Sequence, residues 1–95
     1  MLRKRGVAGR ELSFHGNMFY TYVLKSIKDK KLYVGFTVDL KRRINEHNQG
    51  LVQATRARRP FVLIYYEACL NENKAIKREK YFKTGFGRRY LKERI

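Results

Sequence analysis

The chain has 95 residues, 23 of them Lys or Arg against 8 Asp or Glu, for a formal charge of +15; that length holds one domain and leaves no room for a second. With 43% hydrophobic and 14% aromatic residues, a single Pro and no low-complexity run, the sequence is too apolar for a disordered tail despite its charge. A pI near 10.4 points to a polyanionic partner, whose phosphates offset the self-repulsion of so basic a chain, and no stretch approaches transmembrane length.

The single Cys69 forms no intrachain disulfide, and the N-terminus lacks the apolar core and small-residue cleavage site of a secretory signal, so the expected compartment is a reducing cytoplasm. His15 and His47 stand 32 positions apart with no Cys pair beside them, which leaves zinc ligation by the usual short spacings without support.

Residues 1–17, with four Arg/Lys and three Gly, read as a flexible basic tail: either an arm that touches phosphate or an extension ahead of Met18. The β-branched and aromatic run from Phe19 to Ile27 predicts a first strand, and LYVGFT (32–37) a second, joined to it by a hairpin through KDKK. Thr37 or Asp39 can N-cap a helix from Leu40 towards Asn48, with Gly50 as its left-handed stop. LVQATRARRP (51–60) suits an exposed loop, and FVLIYYEA (61–68) a third strand. Asn71 can cap a second helix closed by Gly85, and RRYLKERI adds a short basic helix after Gly87. The order β-β-α-β-α-α describes a small three-stranded α+β domain over residues 18–95.

Several residues break the apolar pattern of these elements. In the first helix, Arg43 and His47 form an i,i+4 pair beside the Leu40 and Ile44 stripe, either snorkelling to solvent or facing a site. In the second, Glu79 falls angularly among Ala75, Ile76 and Phe82, so a carboxylate points inward and needs a cation, a metal or a wet cleft. An ion pair with Arg43 or a nearby Lys is the structural alternative. An even-length hairpin puts Tyr22 and Tyr33 on one sheet face with Gly35 and Thr37, and a glycine inside a strand suits close approach of a ligand or backbone. Two phenols, a fixed cation, an imidazole and a carboxylate thus converge from four elements. That set supplies a candidate base, a charge clamp and a ligand for a hard divalent metal, the needs of phosphodiester cleavage.

In the same order, TYV at 21–23, YVG at 33–35, GFTVDLKRRINEHNQG at 35–50 and AIKREKYFK at 75–83 resemble the GIY-YIG nuclease superfamily, and especially its small stand-alone bacterial members. Thr21 and Val23 replace the Gly and Ile of the first triplet and Val34 the Ile of the second. The late Asn of several family nucleases is missing from TGFGRRYLKERI, which leaves its role vacant or to Arg88 or Arg89. The resemblance implies a three-stranded antiparallel sheet flanked by helices. It also implies hydrolysis of DNA strands with one Mg²⁺ or Mn²⁺, through Tyr22, Tyr33, Arg43, His47 and the metal ligand Glu79.

The chemistry expected from these residues is metal binding by Glu79 and charge neutralisation at the phosphoryl group by Arg43. Tyr33, or His47 directly or through it, takes the proton of the attacking water, and Tyr22 positions water or phosphate. DNA, with RNA as the second candidate, is expected to be gripped by Lys41, Arg42, Arg56, Arg58 and Arg59 on exposed helix and loop positions, through sequence-independent phosphate contacts. The rival reading is a non-catalytic nucleic-acid-binding module with a degenerate site, and a third is a basic protein-interaction module.

Overall fold

The computed structural model describes residues 18–95; the segment read as a basic tail lies outside them. Three antiparallel strands, β1 (Phe19–Ser26), β2 (Leu32–Thr37) and β3 (Phe61–Cys69), form one sheet in the order β2-β1-β3. Helix α1 (Leu40–Asn48) follows β2, while α2 (Glu72–Phe82) and α3 (Gly85–Lys92) follow β3. The expected α+β architecture and element order are therefore present.

Because β1 is the central strand, both of its faces are covered, and Thr21, Tyr22, Val23 and Leu24 are all buried. One face carries Tyr22, Leu24 and Phe61 against Leu40 and Ile44 of α1. The other carries Val23 and Val34 against Phe82 of α2 and Leu91 of α3. The hairpin places Tyr22 opposite Gly35 and Leu24 opposite Tyr33, and opposed residues of an antiparallel pair point to one face. Its turn is held by Ser26, whose Oγ accepts from the Lys28 and Asp29 N–H groups and donates to the Arg58 carbonyl at 2.6 Å.

The helix caps follow from side chains that satisfy first-turn N–H groups. Asp39, rather than Thr37, caps α1 by accepting from the Arg42 N–H, and Asn71 caps α2 by accepting from the Lys74 N–H. Gly50 takes the left-handed conformation expected of it, with φ 81°. Two boundaries differ from expectation. Helix α2 ends at Phe82, and Gly85 opens α3 instead of closing α2, because Thr84 accepts from the Gly87 N–H and starts the last helix three residues early.

Helix α2 is fixed in rotation by two contacts. Thr21 Oγ1 donates to the Ala75 carbonyl at 2.8 Å. Arg78 makes a two-pronged pair with Glu67 (2.7 and 3.0 Å) while lying over the rings of Tyr81, Phe82 and Tyr90, a geometry that suits the planar guanidinium. Gly87 is required where α3 turns back on α2, since a β-carbon there would strike the Tyr81 carbonyl oxygen, whereas at Gly85 it would meet open space. Gly87→Ala is accordingly expected to cost about 2 kcal/mol and to lower the melting temperature by about 10 °C, with Gly85→Ala melting no lower than the parent; equal melting of the two variants would show that this packing is not limiting.

Candidate active site

The sheet face under α1 brings together four of the residues singled out by pattern. Tyr22 is 1% exposed and His47 fully buried, and the Tyr22 hydroxyl shares a 2.8 Å hydrogen bond with His47 Nε2. The Tyr33 ring lies 6.4 Å from that of Tyr22 and 5.0 Å from that of His47. His47 therefore does not snorkel, and of the two phenols it is hydrogen-bonded to Tyr22 and not to Tyr33. Gly35 makes this arrangement fit, because a β-carbon at that position would overlap the Tyr22 ring and hydroxyl.

The charges around the phenol are unequal in effect. Burial pushes the Tyr22 phenol up to about 12; the Arg43 guanidinium beside it works the other way, while Tyr33 and Glu79 add to the rise. Burial likewise pushes His47 down to about 4, aided by the positive charge of Arg43 and opposed by Glu46. The imidazole is thus neutral at pH 7. Arg43, held above its ordinary value chiefly by its hydrogen bond to Glu46, retains its charge.

Arg43 and Glu79 do not pair with each other. Arg43 pairs with Glu46 at 3.0 Å and Glu79 with Lys83 at 3.0 Å, each within its own helix. Glu79 sits on α2, one residue past the anchored Arg78, and its charge adds a small part of the rise of the Tyr22 phenol. Its side chain is 22% exposed, so the carboxylate is open to a cation. Beside Lys83, a cleft of about 260 Å³ is lined by Tyr33, Lys83 and Arg88 over an apolar floor that includes Val34 and Phe82. Arg89 lies elsewhere, over the Phe86 ring at 4.9 Å.

The residues expected to grip nucleic acid divide into two groups. Lys41, Arg42, Arg56 and Arg59 are exposed, although Arg56 and Arg59 also donate to the Gly50 and Arg56 carbonyls. Arg58 departs from the expectation of a free surface cation. It is half-buried, pairs with Asp29 at 2.7 Å, donates to the Leu32 carbonyl and lies over the Phe61 ring, so it ties the basic loop to the hairpin.

Pattern reasoning passed over Thr55 and Glu46, and anticipated a lysine near Glu79 without naming it; that lysine is Lys83. Glu46 and Lys83 were readable as helical i,i+3 and i,i+4 neighbours of Arg43 and Glu79. Thr55 carried no such signal: it lies in a loop that reads as exposed, yet it is fully buried, with its Oγ1 2.7 Å from His47 Nδ1.

A hard divalent cation fits this donor set. Among the described residues no group of three His, Cys, Asp or Glu side chains is positioned to hold a metal, which disfavours a closed protein cage. One partly exposed carboxylate suits a hard divalent ion that takes one or two carboxylates and completes its shell with water and substrate phosphate.

The family model of the GIY-YIG catalytic domain matches residues 18–92, and the chain belongs to that family. The family is one of endonuclease domains, which implies a nucleic-acid substrate and a divalent metal. The chain is 44% identical over 68 residues to a UPF0213 protein of Pediococcus pentosaceus, covering 70% of each. It is 43% identical over 79 residues to a UPF0213 protein of Pediococcus acidilactici, covering 80% of each. The solution NMR structure of a UPF0213 protein from Bacillus halodurans matches with a TM-score of 0.50 and 32% identity, covering 80% of this chain and 83% of that one. Among the described residues no helix is long and apolar enough to cross a membrane.

Proposed function

We propose that the protein is a metal-dependent DNA endonuclease, acting in DNA repair, recombination or processing in the cytoplasm. The observation that carries this reading is the convergence on one phenol: Tyr22 is bonded to His47, flanked by Arg43 and Tyr33, and within reach of the Glu79 charge. No packing need calls for an arginine and a neutral histidine around one buried hydroxyl.

In this mechanism Glu79 holds Mg²⁺ or Mn²⁺, which when bound supplies Lewis-acid stabilisation of the phosphate and leaving oxygen. Arg43 exchanges Glu46 for a phosphoryl oxygen and neutralises charge that grows there in the transition state. Tyr33 is the phenol that lines the cleft, and it takes the proton of the attacking water. His47, fully buried, does not reach that water; it holds Tyr22, which in turn holds Arg43. Lys83 and Arg88 steady the strand beside the scissile phosphate, and Lys41, Arg42, Arg56 and Arg59 contact phosphates farther out. Arg58 is left out of this grip because its guanidinium is engaged by Asp29.

The reading is tested with labelled single-stranded, duplex and branched DNA, and single-stranded RNA, in Mg²⁺, Mn²⁺ and EDTA. Cutting in either metal that stops in EDTA is expected. Salt-sensitive binding without cutting in any metal makes the protein a non-catalytic binding module instead.

The cleft also separates two neighbouring arginines of equal charge. Arg88→Gln is expected to weaken DNA binding by about tenfold at moderate salt and to reduce the slope of log affinity against log salt by about 1, as loss of one phosphate contact does. Arg89→Gln is expected to change binding less than Arg88→Gln. Fluorescence anisotropy in EDTA reads both, and equal losses would mean that only net charge matters.

A further inference from the structure

Thr55 and Tyr22 approach His47 from its two ring nitrogens, and all three side chains are at least nine-tenths buried. A buried neutral imidazole carries one proton, and which nitrogen has it is fixed by the partners. Two arrangements satisfy the distances. In the first, Tyr22 O–H donates to Nε2, Nδ1–H donates to Thr55 Oγ1, and Thr55 O–H donates to the Val52 carbonyl, 3.4 Å away. In the second, both bonds to the ring run the other way: Thr55 donates to Nδ1, giving up the Val52 carbonyl, and Nε2–H donates to the Tyr22 oxygen.

The second arrangement leaves the Tyr22 hydroxyl hydrogen stranded. Among the described residues the hydroxyl has no hydrogen-bond acceptor other than His47, its other polar neighbour Arg43 being a donor, and at 1% exposure it has little access to water. The positive Arg43 beside it cannot accept a proton. An unsatisfied buried donor is costly, whereas the first arrangement gives every hydrogen an acceptor and turns the Tyr22 lone pairs towards the guanidinium.

We propose that Thr55 is a positioning residue of the active site: by accepting from His47 Nδ1–H it fixes the imidazole as an acceptor at Nε2, which turns the Tyr22 oxygen towards Arg43. The basic loop thereby sets, through His47 and Tyr22, the orientation of the arginine that meets the phosphate. The role in turnover rests on the endonuclease reading; the protonation pattern does not.

The experiment pairs a spectroscopic readout with cleavage. Long-range ¹H–¹⁵N correlation spectra, with the His47 signals assigned by their loss in His47→Gln, are expected to show Nδ1 protonated and Nε2 bare. Thr55→Val is expected to populate the opposite tautomer and to slow cleavage about tenfold, the effect of one buried hydrogen bond, while Thr55→Ser restores both. In a Tyr22→Phe background, Thr55→Val is expected to change the rate less than about twofold, because the two act along one path. A wild-type imidazole protonated at Nε2, a Thr55→Val spectrum identical to wild type, failure of Thr55→Ser to restore, or an undiminished effect in the Tyr22→Phe background overturns the proposal. If no protein cuts DNA and the tautomers still behave as expected, the hydrogen-bond relay stands and the endonuclease reading falls.

Discussion

Arg43→Ala is expected to slow metal-dependent DNA cleavage by about a thousandfold, the scale on which enzymes lose rate when a fixed cation or donor is removed from a developing phosphoryl or oxyanion charge. The fold should tolerate the change. The Arg43 side chain is 37% exposed, and its partner Glu46, at 30%, stays solvated and keeps Arg42 at 3.7 Å. A surface pair of this kind contributes only about 0.5 kcal/mol. Loss of rate with an unchanged melting curve therefore assigns the arginine to chemistry. Arg43→Lys keeps the charge but not the planar fork, so a rate between those of wild type and the alanine variant is expected. Glu79→Gln, nearly isosteric, should match Arg43→Ala in severity, since it removes the charge of the carboxylate proposed to hold the metal. Cleavage by Arg43→Ala within tenfold of wild type would remove this residue from the mechanism.

How much of this was readable depends on the distance over which the relevant contact acts. The shared face of Tyr22, Gly35 and Tyr33 follows from strand alternation and an even hairpin, both local properties, and the register bears it out. The α1 pair Arg43 and His47 and the inward set of Glu79 follow from helical angle. What periodicity does not report is which partner a polar side chain finds across elements. Arg58 reads as one more loop cation, yet Asp29, 29 positions away, engages it. Of the two partners open to Glu79, Arg43 or a nearby lysine, the lysine of its own helix takes it, and Glu46 takes Arg43. Helix α3 begins early because Thr84 caps it, a signal masked by the low helix propensity of the glycines in GFG. The burial of His47 is the largest such case: an exposed-looking loop closes over it through Thr55.

That burial makes the stability of the protein sensitive to acid in a window set by one imidazole. The folded His47 is held down to about 4 from 6.5, so between these values the unfolded chain binds the proton more readily than the native one. The stabilising contribution of the neutral form is therefore fully present above pH 6.5 and is lost as pH falls through 4, by about 3 kcal/mol in all. Asp29 and Glu67 are also held below their ordinary values, by Arg58 and Arg78, but their losses come at lower pH. The interval from 6.5 to 5 thus reports mainly His47. Denaturant midpoints measured across it should fall steadily with acid for the wild type and stay nearly flat for His47→Gln, whatever the absolute stability of that variant. The same proton would break the Tyr22 hydrogen bond, since a doubly protonated imidazole has no acceptor left at Nε2. Native His47 takes up that proton only near pH 4, so cleavage is expected to be lost by this route only towards pH 4, below the interval in which stability falls; stability flat from pH 6.5 to 4.5 would show that the native imidazole is not held neutral.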